Sequence, residues 1–455
     1  MKAKLEPPTI VLAGFAESNY PEDLIQRKFS EARELLEKNG IRILHQELFN
    51  EVMKEEEIAR ACERMAKESF DLLVACVIAW VPSNVVVRVV DEFSHKPILL
   101  WGLTGDMVNG KLVTPAAQAG TTALRKTMED LGYKFKYVYE YLHQPPKVDQ
   151  VTNFARAARA ARLLRRSKVG MMGYRDMSLY STMFDEISLR KKVGVEVEFF
   201  EMLEMVQKMD SVNEEEVMKI VDEIKRQWTF EKEPPDTFLE KGAKIYLALK
   251  DIIQDRGYQA ISLKDVEGMR KLLNFPPAMV FMLLTDKLGV CTIPENDVLG
   301  AVTQLMVRYL TGQAAAYMEV YEFMKDRVLF GTCDYVPSEI VDGPVKATFT
   351  AFGHLGGGII NVSKVKTGKV TLCRLSNYGE KYVMHVVTGE ALKPMKWEEA
   401  GWAPVAPELP SIEVKLDSPV EDFADKVLSQ HYILSYGDNT GVIKDLCKLL
   451  DIEII

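Results

Sequence analysis

DLLVACVIAW, residues 71–80, is a nearly continuous apolar run near the middle of the first third of the chain. Such a run predicts a strand that is buried on both faces, as in the interior of a parallel sheet. Two further short apolar segments lie on either side of it, TIVLAGF at 9–15 and PILLWGL at 97–103. Segments with helical spacing at 24–39 and 55–68 separate these strands, so this region predicts a doubly wound parallel sheet.

The alternation of strand and helix signals restarts after a Pro-Pro break at 145–146 and continues to about residue 325. Beyond Asp326 the segments are β-rich and separated by hairpin-type turns, such as SNYGE at 376–380. The predicted fold class is therefore α/β, with two doubly wound parallel-sheet domains followed by a β-rich, mainly antiparallel C-terminal domain. The predicted boundaries are 1–165, 166–325 and 326–455.

Composition and charge exclude several function classes. The 455 residues carry 57 Lys and Arg against 66 Asp and Glu, a net charge of −9, which argues against a general nucleic-acid binder or an electrostatically anchored membrane protein. The six cysteines contain no CxxC pair, so they predict neither a zinc site nor a disulfide scaffold, and dispersed thiols suit the cytoplasm. The longest apolar stretch is too short to span a membrane, and the N-terminal apolar run is too short for a signal peptide.

No phosphate-binding motif is present. The sequence has no GxxxxGK[ST] and no GxGxxG after its first strand, so no nucleotide cofactor is expected. The glycine run at 356–358, which follows His354, is more typical of a tight turn.

Three polar segments form the strongest candidate constellation. PEND at 294–297 lies where a predicted strand ends and a helix begins, a position where α/β proteins gather their sites. In AAAYMEVYEF at 314–323, Tyr317, Glu319 and Tyr321 share one face if the segment is extended. QHY at 430–432 adds an imidazole. Two carboxylates and one imidazole suit Mn²⁺ or Mg²⁺ and would fit an aldose–ketose isomerase, in which a cation stabilises an enediolate and a carboxylate moves the proton.

Each of these residues also has a purely structural interpretation. Glu295 and Asp297 could cap a helix N-terminus, which spacing alone favours over metal binding. Glu319 could be a solvated strand residue, and His431 a structural histidine. Five further histidines compete with it: His45, His95, His143, His354 and His385.

At these residues the sequence resembles the L-fucose isomerase/L-arabinose isomerase family. PENDVLGAVTQLMVRYLTG at 294–312 is similar to the family's Glu-containing segment, and SQHYILSYGD at 429–438 is similar to its late His-Tyr strand. This resemblance implies that Glu295, Glu319 and His431 are metal ligands. It also implies that Glu295 and Glu319 are the acid/base pair.

Two weaker similarities concern the substrate and the assembly. GYRDMSLYSTMFD at 173–185 resembles a family segment in which Met177 would face the sugar. AWVPSN at 79–84 resembles a loop that reaches a neighbouring subunit's site, where Trp80 would cover the sugar ring. Core packing explains either residue equally well. The resemblance also implies a homo-oligomer, a trimer or a hexamer.

The sequence departs from both branches of the family. Glu319 stands where the fucose branch usually has Asp, and 326–342 lacks the further His ligand of the arabinose branch. FGTCDYVP at 330–337 occupies that place. A three-ligand, fucose-like site fits better, although the sequence does not identify the sugar.

The leading hypothesis is therefore a cytoplasmic isomerase of a small sugar, with Mn²⁺ as cofactor and Mg²⁺ or Co²⁺ as alternatives. A non-catalytic sugar-binding or regulatory protein on the same scaffold is the second hypothesis. A non-metal epimerase or lyase is the third.

Overall fold

The computed structural model describes residues 5–332, 335–351, 357–396 and 409–455. The chain divides into two compact units. The first unit comprises 5–162 and 441–450, and the main unit comprises 163–440 and 451–455. The division into three domains at 165 and 325 stays a prediction.

The first unit is built on a parallel sheet of five strands in the order β2-β1-β3-β4-β7. Its strands, including a small antiparallel hairpin of β5 and β6, are β1 (Thr9–Phe15), β2 (Arg42–Phe49), β3 (Leu72–Val77), β4 (Ile98–Gly102), β5 (Asp106–Val108), β6 (Lys111–Val113) and β7 (Phe135–Tyr139). Its helices are α1 (Glu22–Lys38), α2 (Glu55–Ala66), α3 (Ser83–Glu92), α4 (Ala117–Asp130) and α5 (Val148–Leu164). Every residue of the central strand β3 is buried, as the apolar run at 71–80 predicts.

The main unit begins with a second parallel sheet, in the order β12-β11-β8-β9. Its strands and the short β10 are β8 (Lys168–Met172), β9 (Glu196–Phe200), β10 (Thr229–Phe230), β11 (Ala260–Ser262) and β12 (Cys291–Ile293). The helices of this region are α6 (Glu186–Lys192), α7 (Met202–Met209), α8 (Glu214–Gln227), α9 (Asp236–Arg256), α10 (Lys271–Leu273), α11 (Ala278–Leu283) and α12 (Val298–Thr311). Read along the chain, this sheet repeats the 2-1-3-4 strand order of the first sheet, which is a doubly wound topology.

The rest of the main unit is mainly antiparallel. Its strands are β13 (Ala316–Phe323), β14 (Val328–Gly331), β15 (Lys346–Ala351), β16 (Gly357–Asn361), β17 (Gly368–Tyr378), β18 (Lys381–Leu392), β19 (Ser411–Leu416), β20 (His431–Tyr436) and β21 (Glu453–Ile454). Helix α13 (Val420–Ala424) belongs to this region, whereas α14 (Thr440–Leu450) lies almost wholly in the first unit. Within the described residues, β17, β20, β13, β14, β19 and β18 pair in sequence, and β17 also pairs with β18, so the sheet closes into a barrel. The predicted fold class is confirmed.

Helix α12 places the parallel sheet against the barrel. It packs on β8, β11 and β12 on one side and on β13, β17 and β20 on the other. Of its fourteen residues, all but two are buried. The loop that enters α12 from β12 therefore lies where the parallel sheet and the barrel meet. In the part of the chain that the structure describes, every helix is too short or too polar to span a membrane.

Candidate metal and sugar site

The loop that joins β12 to α12 holds an unusual backbone conformation. Glu295 and Asn296 are consecutive non-glycine residues in the left-handed region, with φ values of 63° and 54°. Such residues cost of order 1–3 kcal/mol each and persist only where the surroundings enforce them. Here the Glu295 amide donates to Asp265 Oδ1 at 2.8 Å, and the Asn296 side chain donates to the carbonyl oxygen of Met172 at 2.8 Å. These bonds fix the loop to the neighbouring strands and determine where the Glu295 side chain begins.

Asp297 forms a buried ion pair with Arg374 of β17. The Arg374 guanidinium donates to both carboxylate oxygens, with Nη2 at 2.8 Å from Oδ1, and neither side chain is exposed. Asp297 also caps α12, because its Oδ1 accepts from the Gly300 amide at 2.9 Å. A Cβ at Gly300 would lie 2.5 Å from Asp297 Oδ2 and 2.8 Å from Arg374 Nη1, so glycine is required there.

The charge of Asp297 is stabilised by this environment. Burial raises the pKa of its carboxyl, but the Arg374 guanidinium and the hydrogen bond from His431 outweigh burial and hold the pKa well below its usual range. The helix-capping interpretation is therefore correct for Asp297. It does not apply to Glu295, which is not a cap of α12.

His431 begins β20 and is completely buried between two carboxylates. Its Nδ1 lies 2.9 Å from Asp297 Oδ2, and its Nε2 lies 3.4 Å from Glu295 Oε2. Because a carboxylate with two hydrogen-bond donors from Arg374 can only accept, Nδ1 carries the proton in the bond to Asp297. The Nε2 atom therefore faces Glu295. This is the arrangement in which a second carboxylate orients a metal-binding histidine.

Glu319 lies beside His431 on the neighbouring strand. β13 and β20 are antiparallel, and Glu319 is directly opposite His431 in their register, so the two side chains leave the same face of the sheet. Glu319 is half-buried. Tyr317 shares this face, with its ring edge-on to the imidazole at a centroid distance of 5.3 Å. The sequence prediction that Tyr317 and Glu319 share a face agrees with this register.

Gln430 lies in the site, although no role was predicted for it from the sequence. Its Nε2 donates to Glu295 Oε2 at 2.6 Å and lies 3.3 Å from His431 Nε2. Arg374 was also missed. Gln430 could have been suspected from its place next to His431, whereas nothing in the local sequence connects Arg374 to Asp297.

The donor set of this site fits a divalent cation of the Mn²⁺ or Mg²⁺ type. Glu295 and His431 supply a carboxylate oxygen and an imidazole nitrogen, with Glu319 beside them, and such ligands suit Mn²⁺. Asp297 is not available as a ligand in this arrangement because Arg374 and His431 occupy its oxygens. Among the described residues, no three His, Cys, Asp or Glu side chains are already grouped as a metal site.

Met177 belongs to the main unit and Trp80 to the first unit. Met177 follows β8 with a φ of 46° and is 37% exposed, so it does not pack in the core. It follows Asp176, whose carboxylate accepts the amides of Val266 and Glu267 at 2.9 and 3.0 Å. Trp80 follows β3 in the first unit and is half-buried. The sugar-contact roles of both residues stay predictions.

The rival histidines have other surroundings. His385 is buried in the barrel, where its Nδ1 lies 2.7 Å from the Tyr432 hydroxyl. His45 pairs with Glu47 at 2.8 Å. His354 and the first glycine of the run at 356–358 lie outside the described residues, and the other two glycines begin β16.

Comparisons with known proteins relate the chain to sugar isomerases. A family model described as the L-arabinose isomerase central domain matches residues 172–290, a segment that ends just before Glu295. The sulfoquinovose isomerase of Priestia aryabhattai is 20% identical over 405 residues, which cover 88% of each chain. The sulfoquinovose isomerase of Alkalicoccus urumqiensis is 18% identical over 394 residues, covering 85% of this chain and 86% of that protein. The L-arabinose isomerase of Halalkalibacterium halodurans is 22% identical over 302 residues, covering 63% and 59%.

A likeness to solved structures is much weaker. A periplasmic solute-binding protein of Actinobacillus succinogenes with bound D-allose is 12% identical, and the match covers 67% of this chain and 92% of that one with a TM-score of 0.18. A score this low supports no conclusion. The family model and the sugar isomerase relatives are consistent with the resemblance to the arabinose/fucose isomerase-like family that the sequence predicts.

Proposed function

We propose that this protein is an aldose–ketose isomerase that works with a divalent cation, Mn²⁺ in the first place and Mg²⁺ or Co²⁺ as alternatives. The observation that carries the proposal is the approach of Glu295 Oε2 to His431 Nε2 at 3.4 Å, with Asp297 bound to the other nitrogen of the same ring. A buried imidazole and a carboxylate so arranged form an incomplete cation site. The similarity to sulfoquinovose isomerases and L-arabinose isomerases supports the same conclusion.

Glu295, His431 and Glu319 would hold the cation. Residues directly opposite each other in antiparallel strands have Cβ atoms about 4.5–5.5 Å apart, so rotation of the Glu319 side chain brings its carboxylate to the imidazole of His431. A bound cation would supply positive charge that polarises the carbonyl and adjacent hydroxyl oxygens of the sugar.

The two glutamates would move the proton. One carboxylate would remove the proton from the carbon next to the carbonyl group, and a proton would be returned to the former carbonyl carbon. The hydroxyl proton of the first carbon would pass to the former carbonyl oxygen, so one carbon is oxidised and its neighbour reduced with no external oxidant. Glu295 is only 7% exposed, so its carboxylate lies inside the site and not on the protein surface. The left-handed backbone at Glu295 and Asn296 keeps the carboxylate aimed at this position.

The substrate is proposed to be an aldose, either unmodified or carrying a sulfonate. The matched relatives include sulfoquinovose isomerases and L-arabinose isomerases by name. Both a sulfonated aldose and an unmodified aldose should therefore be tested as substrates. Met177 and Trp80 are the proposed sugar contacts. A cytoplasmic homo-oligomer, trimeric or hexameric, is proposed on the family resemblance.

The test is hydrogen exchange in deuterated water with Mn²⁺-loaded protein and a panel of aldoses that includes sulfoquinovose, L-arabinose and L-fucose. We expect deuterium at the carbon beside the carbonyl group and formation of the matching ketose for at least one sugar. Glu295→Gln and Glu319→Gln should each lower the rate by about 10²–10⁴-fold, the usual contribution of a positioned general acid or base.

Glu322→Gln is the matched control. Glu322 lies on the same strand as Glu319 but is exposed, so its replacement should leave the exchange rate unchanged. Absence of exchange across the whole panel would contradict the proposed function. A sugar that raises the melting temperature equally with and without Mn²⁺, with no exchange, would favour a binding protein instead.

A further inference from the structure

The side chain of Gln430 occupies the space between the two groups proposed to bind the cation. Its amide nitrogen lies 2.6 Å from Glu295 Oε2 and 3.3 Å from His431 Nε2, and those two atoms lie 3.4 Å from each other. The three atoms therefore form a compact triangle. In an octahedral complex with bonds of about 2.1 Å, neighbouring ligand atoms lie about 3.0 Å apart. The three distances of the triangle, 2.6, 3.3 and 3.4 Å, lie on both sides of this value.

The amide is oriented by its two neighbours. In the neutral imidazole that a cation would require, donation from Nδ1 to Asp297 leaves Nε2 as an acceptor, and the Glu295 carboxylate is an acceptor as well. Two acceptors favour the NH₂ end of the Gln430 amide in the absence of a cation. A cation at the same place would reverse this preference, because it attracts the carbonyl oxygen and repels the NH₂ group.

A half-turn about the last side-chain torsion exchanges the amide oxygen and nitrogen with little change in shape. Carbonyl oxygens suit Mn²⁺ and Mg²⁺ as ligands. We propose that Gln430 is a further cation ligand of this site, and that its amide turns to present Oε1 when the cation binds beside Glu295 and His431. This inference rests on the cation dependence in the proposed function.

The proposal also explains the composition of the site. Within the described part of the chain, His, Cys, Asp and Glu side chains alone do not form a group of three around this point. The amide oxygen of Gln430 would supply a third donor at the triangle, with Glu319 approaching from the neighbouring strand. Gln430 is half-buried, so it can turn without repacking the core.

The test is Mn²⁺ affinity, measured by electron paramagnetic resonance of the free ion, for wild type and two variants. Gln430→Met keeps the length of the side chain and removes the oxygen, so Kd should rise by about tenfold or more. Gln430→Glu keeps an oxygen and removes the NH₂ donor, so Kd should equal that of wild type or fall. These opposite results separate a ligand from a hydrogen-bond donor that merely holds Glu295.

Gln313→Met is the matched control. The Gln313 amide bonds to the backbone of Tyr436 at 2.9 and 2.8 Å, away from Glu295, and its loss should not change Mn²⁺ affinity. Equal Kd values for wild type and Gln430→Met would overturn the proposal, as would equally weakened binding in Gln430→Met and Gln430→Glu.

The outcome is separable from that of the proposed function. Mn²⁺ binding that depends on Gln430, together with no hydrogen exchange on any sugar, would remove the isomerase activity and leave the ligand assignment intact. Wild-type protein that binds none of Mn²⁺, Mg²⁺ and Co²⁺ would overturn both.

Discussion

Two buried histidines of the barrel have the same exposure and opposite surroundings. His431 is 0% exposed and lies between the carboxylates of Asp297 and Glu295, whereas His385 is 1% exposed and lies between the Tyr432 hydroxyl and the ring of Phe423. His431 and Tyr432 are consecutive in β20, so their side chains point to opposite faces of the strand. Because Tyr432 contacts His385, strand β20 separates the surroundings of His431 from those of His385. Burial alone does not distinguish a candidate ligand from a structural histidine, and the nature of the neighbours does.

The difference is electrostatic. Around His431 a buried guanidinium keeps Asp297 ionised, so the imidazole has a fixed anionic partner. Around His385 burial, with a smaller contribution from Lys426, lowers the pKa of the imidazole to about 4. His385 is therefore neutral at pH 7 and stabilises the barrel by packing.

The largest effect on stability is expected at the charged side of this comparison. Arg374→Met leaves the Asp297 carboxylate buried without its cation, and removal of one partner of a buried pair costs about 3–5 kcal/mol. Urea denaturation would measure this loss. Arg125→Met is the control, because the Arg125–Glu129 pair is exposed and should contribute little. A cost below about 1 kcal/mol for Arg374→Met would mean that Asp297 is not held as an anion.

The second effect concerns pH and the neutral side of the comparison. The pKa of His385 is about 4 in the folded protein against a usual 6.5, so the unfolded chain binds more protons between these values. The contribution of neutral His385 to the free energy of unfolding is fully present above pH 6.5. It is lost as the pH drops toward 4, by up to about 3 kcal/mol. His385→Gln should remove this part of the pH dependence in urea denaturation at a series of pH values.

His95→Gln supplies the control for that experiment. His95 is exposed, and its replacement should leave the slope of stability against pH unchanged. An unchanged slope in His385→Gln would show that other groups cause the acid sensitivity.

The smallest effect is expected from the hydroxyl of Tyr432. Tyr432→Phe removes the bond to His385 at 2.7 Å and the bond from the Leu428 amide at 3.3 Å, and should cost about 1 kcal/mol. Tyr378→Phe is the control, because Tyr378 is 64% exposed. If Tyr432→Phe lowered the free energy of unfolding as much as Arg374→Met does, the two sides of β20 would not differ in their contribution to stability.

Much of the architecture could be predicted from the sequence. The run at 71–80 marks a strand that needs both faces covered, and β3 is buried along its whole length. The late strand expected within SQHYILSYGD at 429–438 is observed as β20. These predictions succeed because the hydrophobic pattern of a buried strand is local in the sequence.

The assembly of the site could be predicted only in part. Its position at a strand end favoured Glu295 as a site residue. The left-handed conformation of Glu295 and Asn296, two consecutive non-glycine residues, could not be predicted from the sequence. The Asp297–Arg374 pair joins residues 77 apart in the chain, and barrel closure, which no local pattern encodes, brings β17 to α12. Helix capping, which spacing favoured for both acids, describes Asp297 only.

The central claim is that Glu295, His431 and Glu319 surround one divalent cation. Diffraction at the manganese absorption edge from crystals grown with Mn²⁺ tests it most directly. We expect one strong anomalous peak within bonding distance of Glu295 Oε2 and His431 Nε2, with the carboxylate of Glu319 turned toward it. A peak elsewhere, or none at this position in crystals saturated with Mn²⁺, would contradict it.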